Sequence, residues 1–443
     1  MSVPTLSAPP GPAGYPLVGV FPKARRDPVG FFAECVRRHG DVVAMRLGPH
    51  RAWLLRHPDH LKRVLQDKAA VYAKGPTAAR VSPLFNESLT VMDGAAWRQR
   101  RPQVTPAFHA GHHADFALNV SRAVVERLDR WRPDQVLELT HEMRRLTQAI
   151  IVRACFGEVS ARNLESLGQA LDAAVAQVER RLWSPLGWLA LPTPAAARGR
   201  QGLTVVDAFI SRVTTEARRS GAPPGTVLSA LLDASPADLL DAADLHAELK
   251  AFLFAGHTTT ASALAWTWYV LSEHAGVREQ IEGECDAVLG GRVPSLEDLP
   301  VLGYTRRVIE EVLRLYPPTW LTARSSLGED VLDGYALPPG ALVLLSPYLT
   351  HRHPMFWEEP ERFDPNRFVP ARAAGRHTFA YVPFGGGPRR CIGSGFATLE
   401  MQLIVATVAQ RYRLAILPEA RIVPVAGLTL RPGPALPARV LGR

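Results

Sequence analysis

Cysteine is scarce in this chain of 443 residues: Cys35, Cys155, Cys285 and Cys391 stand far apart, with no CxxC pair. That spacing points away from a zinc site and a disulfide framework, and it suits a reducing cytoplasm. Lysine is nearly as rare, confined to Lys23, Lys62, Lys68, Lys74 and Lys250, so arginine carries most of the net charge of +9. No dense basic run with interleaved aromatics is present, so nucleic-acid binding is not indicated. Met1 to Tyr15 is rich in Pro, Ala and Gly and lacks an apolar run, so neither a signal peptide nor a membrane anchor is expected there. The interior holds no linker that would part separate domains. The expectation is a tail over 1–16 and one domain over 17–443, a cytoplasmic monomer.

What the chain does have is a loop punctuated by glycine, Tyr381-Val-Pro-Phe384-Gly-Gly-Gly387-Pro-Arg389-Arg390-Cys391-Ile-Gly393, followed by a helical pattern from Phe396. Glycines 385 to 387 can adopt positive φ and admit another group close to the backbone. Amides turned toward the sulfur, with a helix N-terminus behind it, favour a thiolate. A thiolate in such a shaped loop suits a metal ligand.

Phe384, Gly387, Arg389, Cys391 and Gly393 fit the pattern Phe-x-x-Gly-x-Arg-x-Cys-x-Gly, which resembles the haem-binding loop of the cytochromes P450. The resemblance implies a mainly α fold with small β-sheets (α+β) and a b-type haem whose iron takes Cys391 as axial ligand. It implies a monooxygenase that inserts one atom of O2 into a hydrophobic small molecule. Electrons would come from NAD(P)H through a ferredoxin and its reductase, since no flavin or iron–sulfur segment is present. Two rival readings stand beside this one: a P450 for oxidative coupling or peroxide-driven oxidation, and a haem-based sensor without catalysis.

Other motifs follow in the family's order. Trp97 and Arg101 lie four apart, on one helix face, and resemble the pair that holds a haem propionate; Arg324 resembles the arginine of the second propionate. Within the proline-free stretch from Asp238 to Ser272 lies Ala255-Gly256-His257-Thr258-Thr259-Thr260. This resembles the helix that crosses above the haem, with a local opening where the threonines back-bond. Thr259 falls where the family's hydroxyl attends the reacting dioxygen, whereas Thr258 replaces the usual acid and is expected to order a water. Glu311 and Arg314 resemble the Glu-x-x-Arg motif, which a later arginine completes; of Arg362 and Arg367, the spacing to Cys391 favours Arg367.

Further expectations are coarser. Phe31, Phe32, Cys35 and Val36 mark an amphipathic helix, and Val42–Leu47 with Ala52–Leu55 a β-hairpin. Residues 75–92 read as irregular because Gly75-Pro76 and Ser82-Pro83 interrupt the pattern. Val331 to Tyr335 and Ala341 to Leu345 read as strands. Trp183, Leu186, Trp188, Leu189 and Leu191 resemble a lid over a substrate channel. Val81, Leu84, Phe85, Phe252, Ala255, Gly256, Trp320, Leu321 and Leu428 are the candidate pocket residues, the last in a turn that would enter the pocket. Their apolar character points to a terpenoid, polyketide or fatty acid. Arg98, Arg100 and Arg390 are the expected dock for an acidic ferredoxin-type donor.

Overall fold

The computed structural model describes residues 8–182, 193–234 and 240–443. The segment expected to act as a lid lies outside the described residues. The molecule is built around one helix, Ala242–Glu273, whose 32 residues span about 48 Å. Asp241 caps it by accepting from the Asp244 amide. Beyond its first turns the helix is apolar nearly all round, the pattern of a helix buried on every side. Its most extensive packing is against Leu139–Phe156. Gly256 permits the close approach: a Cβ there would sit 2.7 Å from the Ile151 side chain. The Thr147 hydroxyl fastens the same contact by donating to the His257 carbonyl at 3.0 Å.

A five-stranded sheet flanks this helical body. The hairpin Val42–Leu47 and His50–Leu55 continues through Leu342–Leu345, in parallel with the second strand, to Thr322–Ser326 and Tyr72–Ala73. Alternation of side chains sends Val43, Leu54 and Leu344 into one apolar cluster and Val42, Leu55 and Leu345 into another. Both faces are thus covered, which is why Leu342–Leu345 reads as an unbroken apolar run.

Three expectations need correction. Residues 76–85 are a helix, Pro76–Phe85. Pro76 suits its first turn, and Pro83 removes a single bond just before the helix ends. Val331 to Tyr335 is no continuous strand but a hairpin of Asp330–Leu332 and Tyr335–Leu337. Asp333 and Gly334, at φ 50° and 76°, form the two-residue turn that an Asp-Gly pair favours. The helix Ala242–Glu273 is also unbroken across its threonines, which back-bond without opening it.

Glu311 and Arg314 meet inside, both with wholly buried side chains. Arg314 donates Nε and Nη2 to the two carboxylate oxygens at 2.6 and 2.8 Å. It also donates to the carbonyls of His351, Pro360 and Arg362 at 3.0, 2.6 and 3.1 Å. Arg367 Nε lies 3.4 Å from Glu311 Oε1, whereas the Arg362 guanidinium turns outward to Glu359. The helix Gly303–Leu315 is thereby tied to the segment that leads to the cysteine loop. His351 completes the tie as a neutral ring. Its Nδ1–H donates to the Arg314 carbonyl and its Nε2 accepts from the Val382 amide, and burial pushes its pKa down to about 3.

Candidate active site

The cysteine loop ends at the helix Ser394–Arg411. The Cys391 amide donates to the Phe384 carbonyl at 2.9 Å, closing the loop on itself. Gly387, at φ 65°, is compelled to be glycine, because a Cβ would stand 1.9 Å from the Leu65 carbonyl oxygen. It seats the loop on the turn Arg63–Asp67 and does not itself line the cavity. Phe384, Arg389, Cys391 and Gly393 do line it, from below.

The sulfur of Cys391 opens onto the cavity while protein surrounds it on nearly every other side. Burial raises the thiol pKa, opposed by the Gly393 backbone and by the Arg101 and Arg390 guanidiniums. The expected thiolate-favouring groups are therefore present, but protein alone leaves burial the larger effect. A metal cation is the charge that would reverse it.

Arg101, Arg324 and Arg389 converge on one margin of the cavity with Trp97, whose ring lies 4.4 Å from the Arg389 guanidinium. Asp93 holds Arg389 at 2.6 Å and accepts from the Lys74 amide at 2.8 Å. Lys74 joins this cluster, a residue that sequence reasoning missed. Burial, with Arg324 and Arg389 beside it, pushes its pKa down to about 7 against the pull of Asp93. Arg324 is likewise lowered to about 10, chiefly by burial. Lys74, Arg324 and Arg389 thus share the one carboxylate of Asp93, while Arg101, on the same cavity wall, donates to the Arg390 carbonyl at 3.0 Å. The carboxylate on the cavity wall itself, Glu248, is engaged with Arg100 and the Leu89 amide. Such a surplus calls for an anion with two or more negative charges. The only sequence signal for Lys74 was its place before the Gly75-Pro76 turn in a chain poor in lysine.

Above Cys391 stands the helix Ala242–Glu273, contributing Phe252, Ala255, Gly256, Thr259, Thr260 and Ala263. The Thr259 hydroxyl donates to the Ala255 carbonyl at 2.8 Å. Thr258 is not on the cavity wall; its hydroxyl turns back to Phe254 at 3.3 Å. Thr260, not anticipated, takes a place there instead.

Six of the nine candidate pocket residues also fall outside the wall. Val81, Leu84 and Phe85 pack into the main core from the helix Pro76–Phe85. Leu321 packs in a second cluster, and the Trp320 indole donates to the Gly427 carbonyl at 3.3 Å. The turn bearing Leu428 is held by Glu179 rather than entering the cavity. Phe108, Ile151, Thr319 and Thr322 line it in their stead. About 1810 Å³ is left free of atoms, counting the open mouth.

These residues fit a haem: a thiol below, an apolar slot, and a surplus of cations at one edge for two propionates. Lys74→Met should therefore release haem to apomyoglobin about tenfold faster, as expected for losing one charge-assisted hydrogen bond. An unchanged transfer rate would remove Lys74 from the cradle.

Comparison with known proteins agrees with this geometry. The Cytochrome P450 family model matches residues 9–436. The chain is 35% identical over 429 residues to cyclooctatin synthase of Streptomyces melanosporofaciens, covering 96% of this chain and 93% of that protein. It is 35% identical over 424 residues to cyclooctat-9-en-7-ol 5-monooxygenase of the same organism, covering 95% and 90%. Among solved structures, the retinoic acid bound cyanobacterial CYP120A1 matches with a TM-score of 0.90 at 25% identity, over 99% of this chain and 100% of that one. Fold and site define a haem-thiolate oxygenase. The chain belongs to the cytochrome P450 family and is a monooxygenase. Among the described residues, no helix is long and apolar enough to cross a membrane.

Proposed function

We propose that this P450 oxygenates a cyclic terpenoid hydrocarbon or alcohol, drawing electrons from a separate acidic ferredoxin. The observation that carries the reading is the cavity above Cys391, where largely apolar walls leave a few hydroxyls, from Thr90, Thr259, Thr260, Thr319 and Thr322, and the Glu248 carboxyl to meet a substrate. Such a wall binds by shape and apolar burial and orients through one or two polar contacts. The relative named for cyclooctat-9-en-7-ol acts on a cyclic alkenol, which suits walls of this kind.

The overall reaction takes substrate RH, O2, two electrons and two protons to ROH and water. Haem, held through Cys391, supplies the reduction of dioxygen and the oxygen transfer. Lys74, Arg101, Arg324 and Arg389 would hold the propionates, with Trp97 stacked beside them. Phe252 and Phe108, 4.9 Å apart and edge to face, narrow the cavity wall. Thr259 holds its hydroxyl proton toward the Ala255 carbonyl and presents its oxygen to the cavity.

Arg98 and Arg390 are exposed near the cysteine loop and would steer an acidic donor. Arg100 leaves that group, since it is buried against Asp244 and Glu248.

The test uses haem-loaded protein with a ferredoxin, its reductase and NADPH, offered cyclic terpenes, fatty acids and macrolides. A substrate-induced Soret shift, and a product one oxygen atom heavier, should come from the cyclic terpenes. Shifts confined to fatty acids or macrolides would overturn the substrate class. Arg98→Glu with Arg390→Glu should slow first-electron transfer at low salt, and the difference should fade at high salt. An equal rate at low salt would remove this docking face.

A further inference from the structure

We propose that Glu248 selects the substrate by accepting a hydrogen bond from a hydroxyl at one end of an otherwise apolar terpenoid. The inference rests on the terpenoid P450 reading and narrows that substrate class to alcohols.

Glu248 lies in the second turn of the helix Ala242–Glu273 and is the one acid on the cavity wall. Its side chain is 0% exposed. Oε1 is fully occupied: it accepts from the Leu89 amide at 2.9 Å and from Arg100 Nη1 at 3.3 Å. Oε2 is buried and has no hydrogen-bond partner among the described residues. Arg100 is not free to serve it, because its Nη2 is taken by Asp244. An ionised carboxylate can only accept, so the missing partner must be a donor. Folded proteins seldom keep a buried acceptor bare without a use for it.

The charges around Glu248 say the same. Burial raises its pKa to about 7 against the pull of the Leu89 amide and Arg100, with Asp244 adding to the rise. One guanidinium shared by two carboxylates leaves negative charge uncompensated at this wall. A donor brought by the substrate would answer it with a charge-assisted hydrogen bond.

Its position sets how a substrate would lie. The helix face toward the cavity runs Glu248, Phe252, Ala255, Thr259: an acid, an apolar middle, then a hydroxyl. Glu248 and Thr259 stand about three turns, or ~16 Å, apart along the axis. A molecule with its hydroxyl on Glu248 would lie along Phe252 and Ala255 and offer its apolar end toward Thr259. One polar contact thus fixes the direction of a molecule that apolar walls alone would let turn end for end. A ketone would set a carbonyl oxygen against the carboxylate, and a hydrocarbon would leave Oε2 bare; such a site rejects both.

The test is made on the full chain loaded with haem. Nootkatol and nootkatone, one sesquiterpenoid skeleton as alcohol and as ketone, are titrated beside menthol and menthone, with Kd read from the Soret shift. The parent should bind each alcohol about tenfold more tightly than its ketone, as expected for one hydrogen bond to a charged group. In Glu248→Gln the side-chain oxygen stays with the Leu89 amide and Arg100, both donors, so the new NH2 takes the place of Oε2. That group donates, and the preference for alcohols should vanish or reverse. A purely structural role for Glu248 would weaken alcohol and ketone alike and keep the parent ratio, and that result overturns the proposal. So does a parent that binds the ketones as tightly as the alcohols, which needs no variant and leaves the terpenoid reading standing. If none of the four compounds shifts the Soret band, the terpenoid class itself falls, and the selection by Glu248 with it. A parent without the haem-thiolate carbon monoxide spectrum would instead unseat the P450 reading.

Discussion

Cys391→Ser should fold, lose the strongly red-shifted Soret band of the reduced carbon monoxide complex, and show no measurable turnover. Folding should survive because the loop is closed by the Cys391 amide on the Phe384 carbonyl and seated by Gly387 on Leu65, neither of which involves the sulfur. The spectrum should not survive, because the band reports electron donation by a thiolate, which a serine hydroxyl with its much higher pKa does not provide. The Gly393 backbone, Arg101 and Arg390 already lower the Cys391 pKa against burial, so a bound metal cation has only the remainder to overcome. Retention of the red-shifted band in Cys391→Ser would mean that another residue ligates the metal.

The parts of the site that could be read in advance share one property: their chemistry imposes spacing along a single element. The cysteine loop requires Gly387 against a backbone oxygen, the Trp97 and Arg101 pair requires one helix turn, and so does Glu311 with Arg314. What escaped depends on the direction in which tertiary packing turns a side chain. Lys74 and Thr319 come from irregular segments and Thr322 from the first residue of the strand Thr322–Ser326, where too few residues repeat for a period to fix orientation. Leu84 and Phe85 read as available because they are apolar, but the helix Pro76–Phe85 turns them into the core.

Thr258 is the instructive case. Glu248, Phe252, Ala255, Thr259 and Ala263 recur at three- and four-residue steps and share the cavity face, with Gly256 and Thr260 beside them. A regular helix carries Thr258 off that stripe. The expectation of a locally opened helix concealed a periodicity that was already present in the residues.

The largest effect on stability should come from Glu311→Ala, at about 3–5 kcal/mol, the range for removing one partner of a buried ion pair. That is a large share of the roughly 5–15 kcal/mol by which a folded domain is stable. The cost arises less from lost attraction than from what remains. Arg314 would be left without an anion at 0% exposure, and Arg367 at 4%. The Asp364 amide would also lose the Glu311 oxygen it reaches at 2.9 Å. Replacing both Glu311 and Arg314 by methionine should not restore stability, although buried pairs elsewhere can be exchanged for apolar residues. Here the guanidinium also satisfies the carbonyls of His351, Pro360 and Arg362, which methionine would leave bare. Arg367→Ala should cost least, since its Nε approaches Glu311 without a regular hydrogen bond and its Nη2 serves chiefly the Glu359 carbonyl. Denaturant unfolding of the haem-loaded variants should rank Glu311→Ala and Arg314→Ala together, well above Arg367→Ala. A parent-like unfolding midpoint for Glu311→Ala would show that the two guanidiniums find other anions, and that this cluster does not hold the helix Gly303–Leu315 to the cysteine loop.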